Sequence, residues 1–261
     1  MRSLFLLIFL LIGSLGLTQS HSFITHDSIQ ITYDDEGTGA VVVLLHGFIN
    51  SRKSWGRAEL KKDLLSKGFR VIVPDLRGNG DSDKPHEEKY WKNKNEVKDV
   101  IFLIDLLEIE SYLLVGYSRG STVAAELVTL DKRVSKVVLG GMGAEFTDPT
   151  WEIPGIFADA FAGRIPLSEM TEGAVNYAKS IDADLICMSL QQKYQPSPNK
   201  TSLGKIDIPV LVIAGNEDNA INKTSSLSFV FNNAIINIVT GDHNNTYKQS
   251  NFSAAVIAFL N

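Results

Sequence analysis

Apolar positions along this chain follow two alternating rhythms. Residues 41–45 are an unbroken, mostly β-branched run, the pattern of a strand buried on both faces and so placed inside a parallel sheet. Similar short runs at 69–73, 112–115, 134–139, 210–214 and 235–239 predict further strands. Between them the apolar residues move to helical spacing. Trp55, Leu60, Leu64 and Leu65 form one stripe over 53–67, stopped by Gly68, and Val97, Ile101, Ile104 and Leu107 form another over 95–108. Helices are also predicted over 121–130, 223–231 and 246–260, and an antiparallel hairpin over 23–25 and 29–33 around His26-Asp27-Ser28. Repeated strand–helix units joined by crossovers give an α/β fold with a mostly parallel central sheet and helices on both faces.

Two stretches depart from this rhythm. Over 145–200 strands lapse, and Trp151, Phe157, Phe161, Met170, Tyr177 and Met188 recur at roughly helical spacing between Pro149, Pro154, Gly163 and Pro166. That pattern predicts an insertion of short helices into a core formed by 23–144 and 201–261. At the start, Met1-Arg2-Ser3 precedes an apolar run over 4–17 and the small polar residues Thr18 to Ser22. Residues 1–22 therefore have the order of a secretory signal peptide, and the expectation is a periplasmic or secreted protein with no stable membrane partner once the leader is removed; an uncleaved N-terminal membrane anchor is the competing reading.

Composition narrows the function classes. The chain is 261 residues long with a formal charge of −5 and no block of lysine or arginine, so it lacks the electrostatic footprint of a nucleic-acid binder. Cys187 is the only cysteine, which excludes an internal disulfide, and its apolar neighbours Leu185, Ile186 and Met188 mark it as a core residue. No cluster has metal-ligand spacing and no glycine loop leads into Lys-Ser or Lys-Thr, so neither metal nor nucleotide cofactor is expected.

The chemistry gathers on Gly116-Tyr117-Ser118-Arg119-Gly120, between a strand and a helix. A serine at such a turn is pushed into the open, the flanking glycines remove side chains that would strike the neighbouring elements, and the following helix aims free N–H groups at an anion forming beside it. His46-Gly47-Phe48, Asp218 and His243 each follow another predicted strand, and ligands of parallel sheets bind at those carboxyl ends.

In these residues the chain resembles the α/β-hydrolase superfamily, as a serine hydrolase with a GxSxG nucleophile elbow. The match runs through Leu44-Leu45-His46-Gly47-Phe48, Asp75 to Ser82, Gly116 to Gly120, Gly215-Asn216-Glu217-Asp218 and Gly241-Asp242-His243. The resemblance implies Ser118 as nucleophile, His243 as general base and Asp218 as the acid that orients it, with the backbone N–H groups of Phe48 and Arg119 as oxyanion hole. It makes His46 a structural histidine, leaves Glu217 and Glu145 as weaker candidates for the acid, and makes 145–200 a short helical cap. The implied reaction is cofactor-free hydrolysis of a carboxylic ester, lactone or thioester of a small molecule with an apolar part, through an acyl-enzyme. A carbon–carbon bond hydrolase with the same triad is the nearest alternative, and a hydrolase-like ligand-binding protein without turnover is the alternative from another class. Serine at the elbow speaks against the dehalogenase and epoxide-hydrolase branches, which carry aspartate there.

Overall fold

The computed structural model describes residues 20–218 and 226–261. The leader expected over 1–22 falls outside these except for Ser20, His21 and Ser22, and the helix expected over 223–231 falls partly outside. Eight strands form one sheet: β1 (Ser20–Ile24), β2 (Gln30–Glu36), β3 (Val41–Leu45), β4 (Arg70–Pro74), β5 (Tyr112–Tyr117), β6 (Val134–Gly140), β7 (Val210–Gly215) and β8 (Ala234–Val239). Their order is β1-β2-β4-β3-β5-β6-β7-β8, with β1–β2 and β2–β4 antiparallel and every other pair parallel. The chain thus reverses its direction of travel across the sheet between β3 and β5, the switch point at which such sheets open a crevice.

Pleating explains the unbroken apolar runs. Val43, Leu45, Leu114, Val137, Leu139 and Val212 face one core, with α3 (Asn95–Leu106) and α4 (Arg119–Leu130). Their alternates Val42, Leu44, Val115, Val138, Leu211 and Ile213 face the other, with α1 (Arg52–Gly56), α2 (Glu59–Ser66) and the C-terminal helix Ser250–Leu260. Neither face can carry polar residues because helices cover both.

The segment 53–67 is two helices. Arg57 ends α1 and Ala58 is extended (φ −96°, ψ 140°), so α2 starts afresh. The final helix also begins later than its periodicity suggests. Asp242 Oδ1 accepts the Asn244 and Asn245 N–H groups at 2.8 and 2.9 Å, and the Thr246 hydroxyl donates to the Asp242 carbonyl at 2.7 Å; residues 246–248 become a 3₁₀ turn.

Between β6 and β7 lie α5 (Ile153–Phe161), α6 (Glu172–Ser180), α7 (Leu185–Lys193) and α8 (Lys200–Leu203); the first three fall within the stretch 145–200 and α8 runs past its end. Phe161, Val175, Ala178, Cys187, Met188 and Leu190 form a third apolar cluster seated on Ile49 and Trp91 of the main body. Gln191 of α7 donates to the Arg77 carbonyl at 2.8 Å and to the Asn79 side chain, which ties this cap to the loop after β4.

That loop, Asp75 to Ser82, is held by buried charge. Asp75, fully buried, accepts from the Arg52 N–H at 2.6 Å, the Arg52 guanidinium and the Asp81 N–H at 2.8 Å. Arg77, also fully buried, donates to Asp99 at 2.7 and 2.5 Å, to Asp27 at 2.9 Å and to the Tyr90 carbonyl. Removing one member of such a set strands the others without water. Arg77→Met is therefore expected to lower unfolding free energy by about 3–5 kcal/mol, read from urea denaturation; a loss typical of an exposed pair would show that Asp27 and Asp99 find other partners.

Candidate active site

Ser118 stands between β5 and the first residue of α4, with φ 53° and ψ −125°. A non-glycine residue holds such a conformation only where its surroundings force it. The forcing is visible on both sides. A Cβ on Gly116 would strike the Gly120 backbone, and a Cβ on Gly120 would strike the carbonyls of Leu45 and His46 at the end of β3. The turn is also pinned, because the Ser118 N–H donates to the Gly140 carbonyl at 2.7 Å and the Ser121 hydroxyl donates to the carbonyls of Gly116 and Gly140 at 3.0 and 2.8 Å.

His243 and Asp218 come to this serine from the ends of β8 and β7. His243 Nε2 is 2.9 Å from Ser118 Oγ, and His243 Nδ1 is 2.9 Å from Asp218 Oδ2. A carboxylate can only accept, so Nδ1 carries the proton and Nε2 is left bare to accept from the serine hydroxyl. Asp218 is 3% exposed whereas the His243 side chain is 40% exposed, so the carboxylate is sheltered and the imidazole is open. Tyr117 donates its hydroxyl to the His243 carbonyl at 2.8 Å and packs 5.7 Å from the imidazole. Burial pushes its phenol well above the usual tyrosine range, so it stays a donor.

The His46-Gly47-Phe48 turn lies against the same serine, with a Cβ position on Gly47 only 3.3 Å from Ser118 Cβ. Ile49, next along, is held at φ 56°, an outlier for a β-branched residue, with its side chain buried beneath the cap. Among the described residues the backbone N–H groups of Phe48 and Arg119 donate to no protein acceptor. Two free main-chain donors therefore flank the strained serine.

His46 is fully enclosed. Its Nε2 accepts the Leu76 N–H at 3.1 Å, so its proton sits on Nδ1, which donates to the Gly47 carbonyl at 2.9 Å. Burial holds its pKa below the ordinary histidine value against the pull of Asp75 and Glu96. It is a neutral strut between β3 and the loop after β4.

The cleft over Ser118 has a volume of about 670 Å³. Phe48, Trp55 and Tyr117 line it from the body, Phe157, Ala174 and Tyr177 from α5 and α6. Arg57, Asn244, Tyr247 and Lys248 also line it, and sequence reasoning missed them; closeness to His243 in the chain was the available signal for the last three. The Arg119 side chain does not line the cleft. Its guanidinium is tied to Glu96 at 2.8 and 2.6 Å and to the Gln191 carbonyl at 3.2 Å.

Glu145 and Glu217 line no part of the cleft, and Asp242 is the turn residue described above. Among the described residues one group offers metal-binding side chains together, His86, Asp184 and Cys187. None lines the cleft. Asp184 is engaged with His86 at 2.7 Å and caps α7 through the Cys187 N–H at 2.9 Å, and burial pushes the Cys187 thiol far up, so it stays protonated.

A family model for the alpha/beta hydrolase fold matches residues 40–171. The chain belongs to this family. Among similar α/β-hydrolases, Epoxide hydrolase 3 of Siraitia grosvenorii is 39% identical over 104 residues, 40% of this chain and 32% of that one. 2-Hydroxymuconate semialdehyde hydrolase of Pseudomonas sp. (strain CF600) is 32% identical over 138 residues, 50% of this chain and 48% of that one. The matches thus span about a third to a half of the curated relatives' length. An esterase from Exiguobacterium antarcticum shares the fold with a TM-score of 0.76 at 19% identity, over 92% of this chain and 98% of that one.

The neutrality of His46 has a pH signature for this α/β-hydrolase. Below the ordinary histidine value of 6.5 the unfolded chain takes up a proton that the folded protein refuses, so stability falls as pH drops from 6.5 towards the lowered folded value. The slope is at most about 1.4 kcal/mol per pH unit. Urea titrations between mildly acidic and neutral pH should show it in the wild type and a flatter line in His46→Gln; equal slopes would mean that His46 protonates in place.

Proposed function

We propose that the protein is a serine hydrolase that cleaves a carboxylic ester, lactone or thioester through an acyl-enzyme on Ser118. The observation that carries this reading is one imidazole 2.9 Å from a serine hydroxyl and 2.9 Å from a sheltered carboxylate. In the first half-reaction Ser118 Oγ attacks the carbonyl carbon while its proton passes to His243 Nε2. Asp218 keeps the imidazole in the Nδ1–H tautomer and stabilises the imidazolium. The Phe48 and Arg119 N–H groups receive the negative oxygen, each such donor contributing about 3 kcal/mol to barrier lowering in enzymes of this kind. The imidazolium then protonates the leaving group, and a water deprotonated by His243 releases the acid by the reverse steps.

The epoxide-hydrolase relatives raise a rival reaction, and the nucleophile argues against it. Opening an epoxide with a serine oxygen would leave an ether on the enzyme, with no carbonyl for water to attack. An acyl group on the same oxygen leaves an ester, which the bare Nε2 and the two free N–H groups are arranged to hydrolyse. The apolar walls from Phe48, Trp55 and Phe157 favour a substrate with an apolar part. The leader-like residues 1–22 support export to the periplasm or beyond, and cleavage ahead of Ser20 would keep β1 whole.

Reaction with a fluorophosphonate should label Ser118 alone, located by peptide mass spectrometry. Ser118→Ala should lose label and at least about 10⁴-fold in ester turnover, and a label on another serine, or undiminished turnover, would overturn the assignment.

A further inference from the structure

We propose that the cleft selects substrates carrying a carboxylate or similar anionic group near the scissile carbonyl, held by Arg57 and Lys248; this rests on the hydrolase reading above and names its substrate class. The first observation is charge. The chain has 30 Asp and Glu against 25 Lys and Arg, yet among the described residues the lining of the cleft includes both of these cations and no Asp or Glu. An acidic protein with an acid-free, cation-bearing cleft presents a local field that favours anions.

The second observation is pairing. Arg52, Arg70, Arg77, Arg119, Arg133 and Arg164 each bind a carboxylate. Among the described residues Arg57 is the arginine that does not, and it is the arginine that lines the cleft. Elsewhere the fold neutralises its guanidinium groups; here it leaves one to solvent and to whatever enters.

The third observation is convergence. Arg57 is held at the end of α1 by its N–H donating to the Ser54 carbonyl at 3.3 Å. Burial raises the pKa of the Tyr247 phenol, while a Ser54 hydrogen bond and the Arg57 charge pull it down and Tyr177 adds to the rise. Arg57, Tyr177 and Tyr247 line the same cleft, and the Tyr247 ring lies 5.4 Å from that of Trp55. Lys248 lies in the same chain segment as Tyr247, half-buried, with Nζ 5.4 Å from the Tyr247 ring centre and 3.2 Å from Asn245 Oδ1; its charge also acts on Asp242, whose carboxylate accepts the Asn244 and Asn245 N–H groups. A carboxylate entering the cleft would give Arg57 a counter-charge and Lys248 a further one.

Monoethyl adipate and ethyl hexanoate compare an anionic ester with a neutral one of similar length. Their kcat/KM values, measured by acid release in a pH-stat, give a preference ratio for the wild type and for Arg57→Gln/Lys248→Gln. The ratio should fall about tenfold in the double variant, the scale of two partly screened ion pairs, chiefly through KM. Added salt should lower wild-type turnover of the anionic ester and spare the neutral one. The same ratio in both proteins, with no salt effect, would overturn the proposal. If neither ester is cleaved, the hydrolase reading fails on its own, and calorimetric titration with monoethyl adipate decides the subsite: about tenfold weaker binding in the double variant supports it, and equal or absent binding in both proteins overturns it.

Discussion

The site depends on how closely the β5–α4 turn approaches the end of β3. Gly120 sits so near the carbonyls of Leu45 and His46 that it has no room for a side chain, and Gly116 is equally confined by Gly120. That approach forces the positive φ of Ser118, brings the His46-Gly47-Phe48 turn against the serine and leaves two main-chain N–H groups free beside it. The strained serine and the two free donors are therefore one feature. A strained residue costs of order 1–3 kcal/mol, and here the cost is offset by the buried strands on either side and by the hydrogen bonds of Ser118 and Ser121 to β6.

A second layer of buried charge keeps that feature in place. Asp75, Arg77 and Arg52 are not positioned to react with anything in the cleft, yet they fix the loop that runs from β4 towards the cap. His46 links the two layers, accepting from Leu76 in that loop and donating to Gly47 beside the serine. Ion pairs in such surroundings add little net stability, because desolvation cancels most of the attraction. Their effect is geometric: each loop position has one arrangement in which no charge is stranded.

Much of this was legible in the sequence because it is local or periodic. The strand at 41–45 matches β3 residue for residue, and the β-branched runs found the other parallel strands, since double-sided burial leaves an unbroken apolar signature. Ser118, Asp218, His243 and the Phe48 turn were legible because each sits just past a strand. What periodicity could not see was breaks made by tertiary contacts. Ala58 interrupts a stripe that would suit one helix, so that Trp55 can meet the Tyr247 ring at 5.4 Å while Leu60 and Leu64 pack on the sheet. Likewise Asp242 captures N–H groups that a helix starting at 246 would leave unpaired. The expected helix over 223–231 begins outside the described residues.

The division between main chain and side chain explains why a family match over residues 40–171 fixes the fold and leaves the substrate open. The two free donors beside Ser118 are backbone N–H groups, which nearly any residue supplies, and the turn needs only small residues at its flanks. Relatives that share these parts therefore keep a common scaffold while their reactions diverge. On the proposed reading the attacking atom in this chain is a hydroxyl, so an electrophile whose adduct can later accept water is required, and a carbonyl meets that requirement. The walls above it come from α1, the cap helices and the turn after His243, three segments remote in sequence and free to vary independently. The proposed selectivity thus falls to residues such as Arg57, which no strand or helix period marks, and whose place beside Tyr247 in one cleft appears only in the fold.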